Sequence, residues 1–208
     1  MELVEEVKRL MEKGSVRRKV EKRIGEFERF RRRSWKEWFS ELCFCILTAN
    51  YTAEGGIRIQ KEIRAEGFLK MGERELERKL RELGHRFPKT RARYIVEARK
   101  YAKELKKRVL GFRSGKRARE WLLGIRGIGM KEASHFLRNV GFKDVAIVDR
   151  HIVNLLAERG MMERPKSMSR GRYVEVERVL EKIAENAGLD LARLDLYLWY
   201  LKTGKILK

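Results

Sequence analysis

The stretch GIRGIGMKEASHFL, residues 124–137, decides the fold of this chain. Its glycines allow a turn with positive φ and leave the backbone of that turn uncovered by side chains. Residues 119–125 lead into the turn and residues 131–141 lead out of it, both with the spacing of an amphipathic helix. The pattern predicts two helices joined by a short hairpin, which Ile125 and Ile128 pack together.

A helix-hairpin-helix of this kind is suited to holding a phosphate. The N–H groups of the turn and of the next helix's first residues point outward and can bind a DNA backbone without reading its sequence. A glycine turn between helices is common, so the overall charge matters: 51 Lys and Arg face 30 Asp and Glu, a formal net charge of +21. Such a field favours a polyanion, most simply nucleic acid, although composition alone leaves open a ribosome-associated protein or an anionic-membrane binder. The residues predicted to contact DNA are Arg126, Gly127, Ile128, Gly129 and His135.

Helical periodicity dominates the 208 residues, and no alternating strand pattern persists beyond a few positions. We therefore expect an all-α fold, a single compact unit over 1–208. Its two helical lobes are expected at 35–140 and at 1–34 plus 141–208, with the hairpin at the cleft between them. Helices are predicted near 2–12, 16–32, 35–49, 53–65, 73–83, 89–109, 115–124, 130–139, 150–159, 171–187 and 191–203.

Several classes of protein do not fit the sequence. No stretch approaches the roughly 20 apolar residues of a transmembrane helix, and the acidic, amphipathic N-terminus is unlike a signal peptide. Cys43 and Cys45 are the only cysteines, so four-cysteine zinc or iron–sulfur sites are excluded, and the histidines show no metal-binding spacing. We expect buried thiols in a reducing cytoplasm, no metal and no organic cofactor. Abundant Glu, Arg and Lys beside few Asn and Gln are typical of a thermophile.

Lys131 occupies an unfavourable place for a cation, the first turn of a predicted helix. The helix dipole disfavours the ammonium there by some tenths of a kcal/mol. Arg126 and Arg138 lie nearby in sequence and are expected to add to this effect. Both influences favour the neutral amine, which is a nucleophile. The alternative is an ordinary solvated lysine or a second phosphate contact.

Asp149 stands eighteen residues after Lys131, at the end of the apolar run VAIV (145–148). It opens the next predicted helix, so we expect it to cap that helix. A capping carboxylate is held in place and kept ionised by N–H groups, which is compatible with a catalytic role. Capping alone is the alternative.

GIRGIGMKEA (124–133) followed by IVDRHI (147–152) resembles the helix-hairpin-helix DNA glycosylases, whose signature pairs a hairpin lysine with an aspartate at this spacing. Residues 42–60 are similar to that superfamily's early core helix and the DNA-facing turn after it. The chain lacks the cysteine quartet of the iron–sulfur endonuclease branch and the extra β domain of the larger eukaryotic-type branch. It is most similar to the type-2, archaeal-style 8-oxoguanine DNA glycosylase/AP lyases.

The resemblance implies an enzyme that flips 8-oxoguanine out of double-stranded DNA, excises it and nicks the abasic strand by β-elimination. It implies that Lys131 attacks the sugar C1′ to form a Schiff base, while Asp149 stabilises positive charge on the sugar and helps to deprotonate the lysine. The expected partner is DNA containing an oxidised base, without a membrane; the protein is expected to act as a monomer, in the cytoplasm and on the nucleoid.

The base pocket is the least defined part of this expectation. Phe87, at a predicted turn, and Trp199, in the final helix, are candidates to stack on the base, although either could be a core residue. The resemblance also implies that Lys208, the last residue, approaches the pocket, with a solvated tail as the alternative. For His135, one turn beyond Lys131, a packed or surface position is the alternative to DNA contact. Competing functions are excision of another damaged or mismatched base, and DNA binding without catalysis.

Overall fold

The structure is a computed structural model that describes residues 2–208. These residues form α-helices joined by short turns and contain no β-strand, which confirms the all-α fold class. The chain divides into two compact units, Met1–Arg31 together with Gly141–Lys208, and Arg32–Val140. None of the described helices is long and apolar enough to cross a membrane.

Twelve α-helices and one 3₁₀ turn (Arg99–Tyr101) make up the described fold. In chain order the α-helices are α1 Glu2–Glu12, α2 Gly14–Phe30, α3 Trp35–Thr48, α4 Ala53–Lys70, α5 Glu73–Glu82, α6 Pro88–Ala98, α7 Ala102–Leu110, α8 Gly115–Leu122, α9 Met130–Asn139, α10 Arg150–Glu158, α11 Arg170–Ala187 and α12 Leu191–Thr203.

Helix α3 is the centre of the unit Arg32–Val140. Ser34 and Glu37 start it with a capping box: the Glu37 N–H donates to Ser34 Oγ at 3.3 Å, and the Ser34 N–H donates to Glu37 Oε2 at 3.0 Å. From Trp38 to Thr48 every residue of α3 is buried, because α4, α6, α7 and α9 pack around it. Cys43 and Cys45 form no disulfide and are fully buried there. This packing places α9, the helix that carries Lys131, against the core.

Two helices differ from the sequence prediction. The predicted helix 89–109 is broken by the 3₁₀ turn, where the Arg99 guanidinium leaves the helix surface to donate to the carbonyls of Phe68 (2.8 Å) and Met71 (2.6 Å). Helix α4 runs beyond residue 65 to Lys70, with an interruption at Arg64, whose φ of 58° and ψ of 173° are not helical. Phe68, beyond the interruption, is fully buried, so the apolar face of α4 continues past Arg64.

The other unit is held by α1, α2, α11 and α12, which pack on one another through buried apolar side chains such as Val7, Val20 and Leu180. The Arg193 guanidinium joins two of these helices by donating to both carboxylate oxygens of Glu21 at 2.8 Å. This fork-to-fork ion pair raises the pKa of Arg193 and lowers that of Glu21. The packed helices provide the support for α10 and for Asp149 before it.

Candidate active site

The hairpin between α8 and α9 contains two glycines, and the backbone conformation requires glycine at only one of them. Gly127 has φ +88°, and a Cβ there would lie 2.5 Å from Cδ2 of Tyr94. Gly129 has φ −97° and ψ −174°, an extended backbone open to any residue. The prediction that both glycines supply positive φ is therefore wrong for Gly129. Ile125 and Ile128 are buried, which confirms their packing role.

The N–H groups of the hairpin are less available than the sequence indicates. The Ile128 N–H donates to the Ile125 carbonyl at 3.0 Å, and the Gly129 N–H donates to Oε2 of Glu132 at 3.3 Å. The first turn of a helix leaves its own N–H groups without intrahelical partners, so those of Met130 and Lys131 remain available. An anion would therefore be bound at the start of α9 rather than at residues 128 and 129.

Arg126 lies on the surface of the hairpin, with 57% of its side chain exposed. Its guanidinium pairs with Oε1 of Glu97 at 3.2 Å and lies 5.4 Å from the centroid of the Tyr94 ring. Tyr94 therefore supports the hairpin from below Gly127 and Arg126. The exposed guanidinium is positioned to meet a polyanion, and its DNA contact stays a prediction.

Lys131 has two partners that sequence reasoning missed. Its Nζ lies 3.2 Å from Oε1 of Glu132 and donates to the Thr48 carbonyl, at the end of α3, at 3.4 Å. The Lys131 side chain is 27% exposed, so the ammonium lies at the edge of the packed unit. The Glu132 carboxylate and the negative end of the α3 dipole attract the Lys131 ammonium, and this attraction offsets its repulsion by the positive end of the α9 dipole. The sequence prediction considered the helix dipole and neighbouring cations, and the structure adds these two acceptors.

Two further residues of α9 are directed into the core. Arg138 is buried and donates to Oδ1 of Asn139 at 2.9 Å. His135 is 8% exposed and packs edge-on against Phe44, with the ring centroids 5.4 Å apart. A packed histidine is what the alternative reading expected, and DNA contact by His135 stays a prediction.

Asp149 lies in the other unit, at the start of α10. Its Oδ1 accepts a hydrogen bond from the Ile152 N–H at 2.9 Å, which confirms the capping prediction. The backbone that leads to it is held by α11: the Tyr173 hydroxyl donates to the Ala146 carbonyl at 2.7 Å and accepts from the Val148 N–H at 3.1 Å. Sequence reasoning missed this support. A tyrosine and a glutamate four residues apart on the apolar face of a predicted helix indicate buried side chains that hydrogen-bond other polar groups in the core.

Phe87 lies at the turn before α6, as predicted, and its side chain is 36% exposed. Its N–H donates to Nδ1 of His85 at 3.0 Å, while Nε2 of His85 bonds to the Leu47 carbonyl at 2.9 Å. These two bonds select the tautomer with the proton on Nε2, and burial lowers the pKa of His85. The neutral imidazole therefore holds the Phe87 backbone while the ring remains accessible, with the Arg86 guanidinium 5.1 Å from its centroid.

Trp199 and Lys208 belong to the same unit as Asp149. The Trp199 ring packs edge-on against His151 of α10 at 5.6 Å, and its buried Nε1 has no hydrogen-bond partner among residues 2–208. Lys208 is partly buried, and the preceding Ile206 and Leu207 line a groove against α2. The end of the chain is thus packed rather than a fully solvated tail. Within residues 2–208 no three His, Cys, Asp or Glu side chains are grouped to hold a metal ion.

Known proteins similar to this chain match nearly its whole length. A family model for 8-oxoguanine DNA glycosylase matches residues 20–189. An 8-oxoguanine DNA glycosylase/AP lyase of Methanocaldococcus jannaschii is 58% identical over 191 residues, 91% of each chain. One of Korarchaeum cryptofilum is 52% identical over 210 residues, covering 100% of this chain and 98% of that protein. The crystal structure of the Methanocaldococcus jannaschii enzyme in complex with a 15mer DNA containing 8-oxoguanine has a TM-score of 0.96 and 53% identity, and the match covers 100% of both chains. With its hairpin lysine and its capping aspartate both inside the matched span, the chain belongs to the 8-oxoguanine DNA glycosylase family.

Proposed function

We propose that this protein excises 8-oxoguanine from double-stranded DNA and then cleaves the abasic strand as a lyase. The observation that carries the proposal is the family match over residues 20–189, which includes both Lys131 and Asp149. The relatives that are 58% and 52% identical bear the name 8-oxoguanine DNA glycosylase/AP lyase, and the similar structure contains DNA with that lesion. The formal net charge of +21 suits a DNA partner.

DNA would be held through its backbone at the start of α9. The N–H groups of Met130 and Lys131 and the positive end of the helix are suited to one phosphate, and the exposed Arg126 guanidinium to the next. Gly127 permits the close approach of the turn because it carries no side chain. Such contacts position the duplex without reading its sequence, which suits an enzyme that must find a lesion in any context.

Lys131 would be the nucleophile. The neutral amine attacks C1′ of the flipped nucleotide, so that a C1′–Nζ bond forms as the bond from C1′ to the base breaks and the base leaves with a proton. Opening of the sugar ring gives the Schiff base; loss of a proton from C2′ then breaks the C3′–O bond and cuts the strand. For attack, Nζ has to leave the Thr48 carbonyl and the Glu132 carboxylate that hold it in the free protein.

Asp149 would stabilise the positive charge that develops on the sugar and help to remove the amine proton. Its Oδ1 is occupied by the Ile152 N–H, which holds the carboxylate in one orientation. Its Oδ2 accepts no hydrogen bond from any of residues 2–208, so one oxygen is available to the substrate.

The flipped base would stack on aromatic side chains. Phe87 supports this role because its ring is exposed while its backbone is tied to His85. Trp199 is proposed to contact the base as well, through its Nε1–H, a buried donor that has no partner among residues 2–208. Lys208, which is partly buried at the end of the chain, is the third residue that we propose to contact the base.

We further infer that the protein acts as a monomer in the cytoplasm. Cys43 and Cys45 are fully buried and form no disulfide, which supports a reducing compartment, and burial raises the pKa of Cys43, which keeps it unreactive. Light scattering of the free protein and of its DNA complex tests the monomer, and a dimeric mass in either would overturn it.

The experiment that tests the proposed function compares strand cleavage of four duplexes. They carry 8-oxoguanine, guanine, an oxidised pyrimidine or a mismatch at one position in the same sequence. We expect cleavage of the 8-oxoguanine duplex to be fastest, and Asp149→Asn to slow it while the protein remains folded. Equal or faster cleavage of another duplex would reject the substrate, and binding without cleavage of any would reject the enzyme.

A further inference from the structure

The segment Lys143–Val148, which leads to Asp149, has neither helix nor strand structure, yet residues 145–148 are buried. Buried peptide groups need hydrogen-bond partners. In a strand, a neighbouring strand would provide them. For Ala146 and Val148 they come from side chains of α11, so the path of the chain into the aspartate depends on particular side chains.

Tyr173 and Glu177 are those side chains. The Tyr173 hydroxyl donates to the Ala146 carbonyl (2.7 Å) and accepts from the Val148 N–H (3.1 Å), and Oε1 of Glu177 accepts from the Ala146 N–H (2.9 Å). Both side chains are 2% exposed and lie four residues apart on one face of α11. One hydroxyl thus joins the 146–147 and 147–148 peptide groups, one residue before Asp149.

We propose that Tyr173 is a positioning residue for Asp149, an inference that rests on the proposed function. Its hydroxyl holds the Val148 peptide, and the next residue along the chain is the aspartate. The Ile152 N–H holds Oδ1 from the other side. Between these two constraints, the direction of the available Oδ2 depends on the Tyr173 hydroxyl. Tyr173 acts on the reaction through Asp149 and does not touch the substrate.

Tyr173→Phe removes the hydroxyl and keeps the ring that fills the core. The Ala146 carbonyl and the Val148 N–H then lose their partner, and the segment before Asp149 is free to shift. A misplacement of about 1 Å at a catalytic group can cost about 100-fold in rate. We expect base excision under single-turnover conditions to slow by about 10- to 100-fold, with the affinity for duplex DNA within about twofold of wild type.

A double-mutant cycle separates positioning from stability. Excision is measured in the wild type, in Tyr173→Phe, in Asp149→Asn and in the double variant, well below each unfolding midpoint. We expect Tyr173→Phe to slow the wild type strongly but to add less than about twofold in the Asp149→Asn background, because the two residues act as one unit. Tyr197→Phe is the matched control: this buried tyrosine of the same unit makes no hydroxyl bond to residues 143–148, and its variant should excise at the wild-type rate.

The outcomes distinguish this inference from the function on which it rests. If Asp149→Asn excises as fast as the wild type, the role proposed for Asp149 fails first. If Asp149→Asn is slow but Tyr173→Phe is not, or if the two losses multiply, the positioning role of Tyr173 is overturned. If Tyr173→Phe does not fold, Glu177→Ala, which releases the Ala146 N–H, takes its place in the same cycle. If neither variant folds, the two side chains serve folding and the proposal is rejected.

Discussion

Replacing Gly127 by alanine tests the geometry of the hairpin. At φ +88° an L-residue costs about 1–2 kcal/mol relative to glycine. The new Cβ would lie 2.5 Å from Cδ2 of Tyr94, where carbon atoms normally stay about 3.5–4.0 Å apart. The turn or the ring must therefore move by about 1 Å, and such overpacking costs about 1–3 kcal/mol. Together, Gly127→Ala should lower the free energy of unfolding by about 2–5 kcal/mol.

Gly129→Ala is the matched control two residues away. Its backbone is extended, and its Cβ would meet only the end of a flexible side chain, Oε2 of Glu132 at 3.0 Å. The loss of an N-cap glycine to alanine costs about 1 kcal/mol or less. Urea unfolding of both variants gives the two free energies at an unchanged m-value. If Gly127→Ala destabilises the protein no more than Gly129→Ala does, the reasoning from positive φ and Tyr94 is refuted.

Three further predictions concern the backbone strain at Arg64, the buried carboxyl group of Glu41 and the pH dependence of stability. Arg64→Gly should raise the free energy of unfolding by about 1–3 kcal/mol, because φ 58° and ψ 173° are backbone angles that only glycine adopts readily. Lys61→Gly, in the regular part of α4, should lower it by about 1 kcal/mol. A lower urea midpoint of unfolding for both variants would contradict the strain at Arg64. Glu41→Ala should lower the free energy of unfolding by about 1–3 kcal/mol in urea unfolding, because the buried Asn139 amide (2.7 Å) loses its acceptor and the Gln60 amide loses one of its acceptors (3.1 Å). An unchanged free energy of unfolding would show that these bonds contribute little. Burial lowers the pKa of His85 below its unfolded value of about 6.5, so its contribution to stability is complete above that pH and is lost as pH falls through the folded pKa. His85→Gln should therefore lose less stability than the wild type between pH 7 and pH 5, and an equal loss would exclude His85 as the cause.

Local signals in the sequence carried most of the fold. The hairpin glycines, the Ser34–Glu37 capping box and the helical spacing of apolar residues each depend on neighbours within a few positions, and the helices lie where these signals place them. The 3₁₀ turn at Arg99–Tyr101 was missed because its cause is distant: Arg99 bonds carbonyls about thirty residues earlier in the chain. Periodicity alone contains no such information.

In the candidate site, too, features that depend on sequence neighbours were predicted, whereas contacts between residues distant in the chain were missed. Lys131 and Asp149 are predicted as site residues from their spacing and from the family resemblance, and the cap at Asp149, predicted from its position before a helix, is confirmed. The bond from Lys131 to the Thr48 carbonyl joins residues 83 positions apart. The bonds of the Tyr173 hydroxyl to the segment before Asp149 join residues 25 and 27 positions apart. These contacts depend on how helices pack, so they became visible only in three dimensions.

The most direct test of the central claim is to identify the amino acid that bonds to the DNA. The wild-type protein is incubated with duplex containing 8-oxoguanine and sodium borohydride, which reduces a Schiff base to a stable amine, and the digested adduct is read by mass spectrometry. Lys131→Gln should abolish the adduct, and Lys106→Gln, at a half-buried lysine whose Nζ donates to the Arg33 carbonyl, should not. The account predicts the sugar remnant on Lys131; a remnant on another residue, or an undiminished adduct in Lys131→Gln, would contradict it.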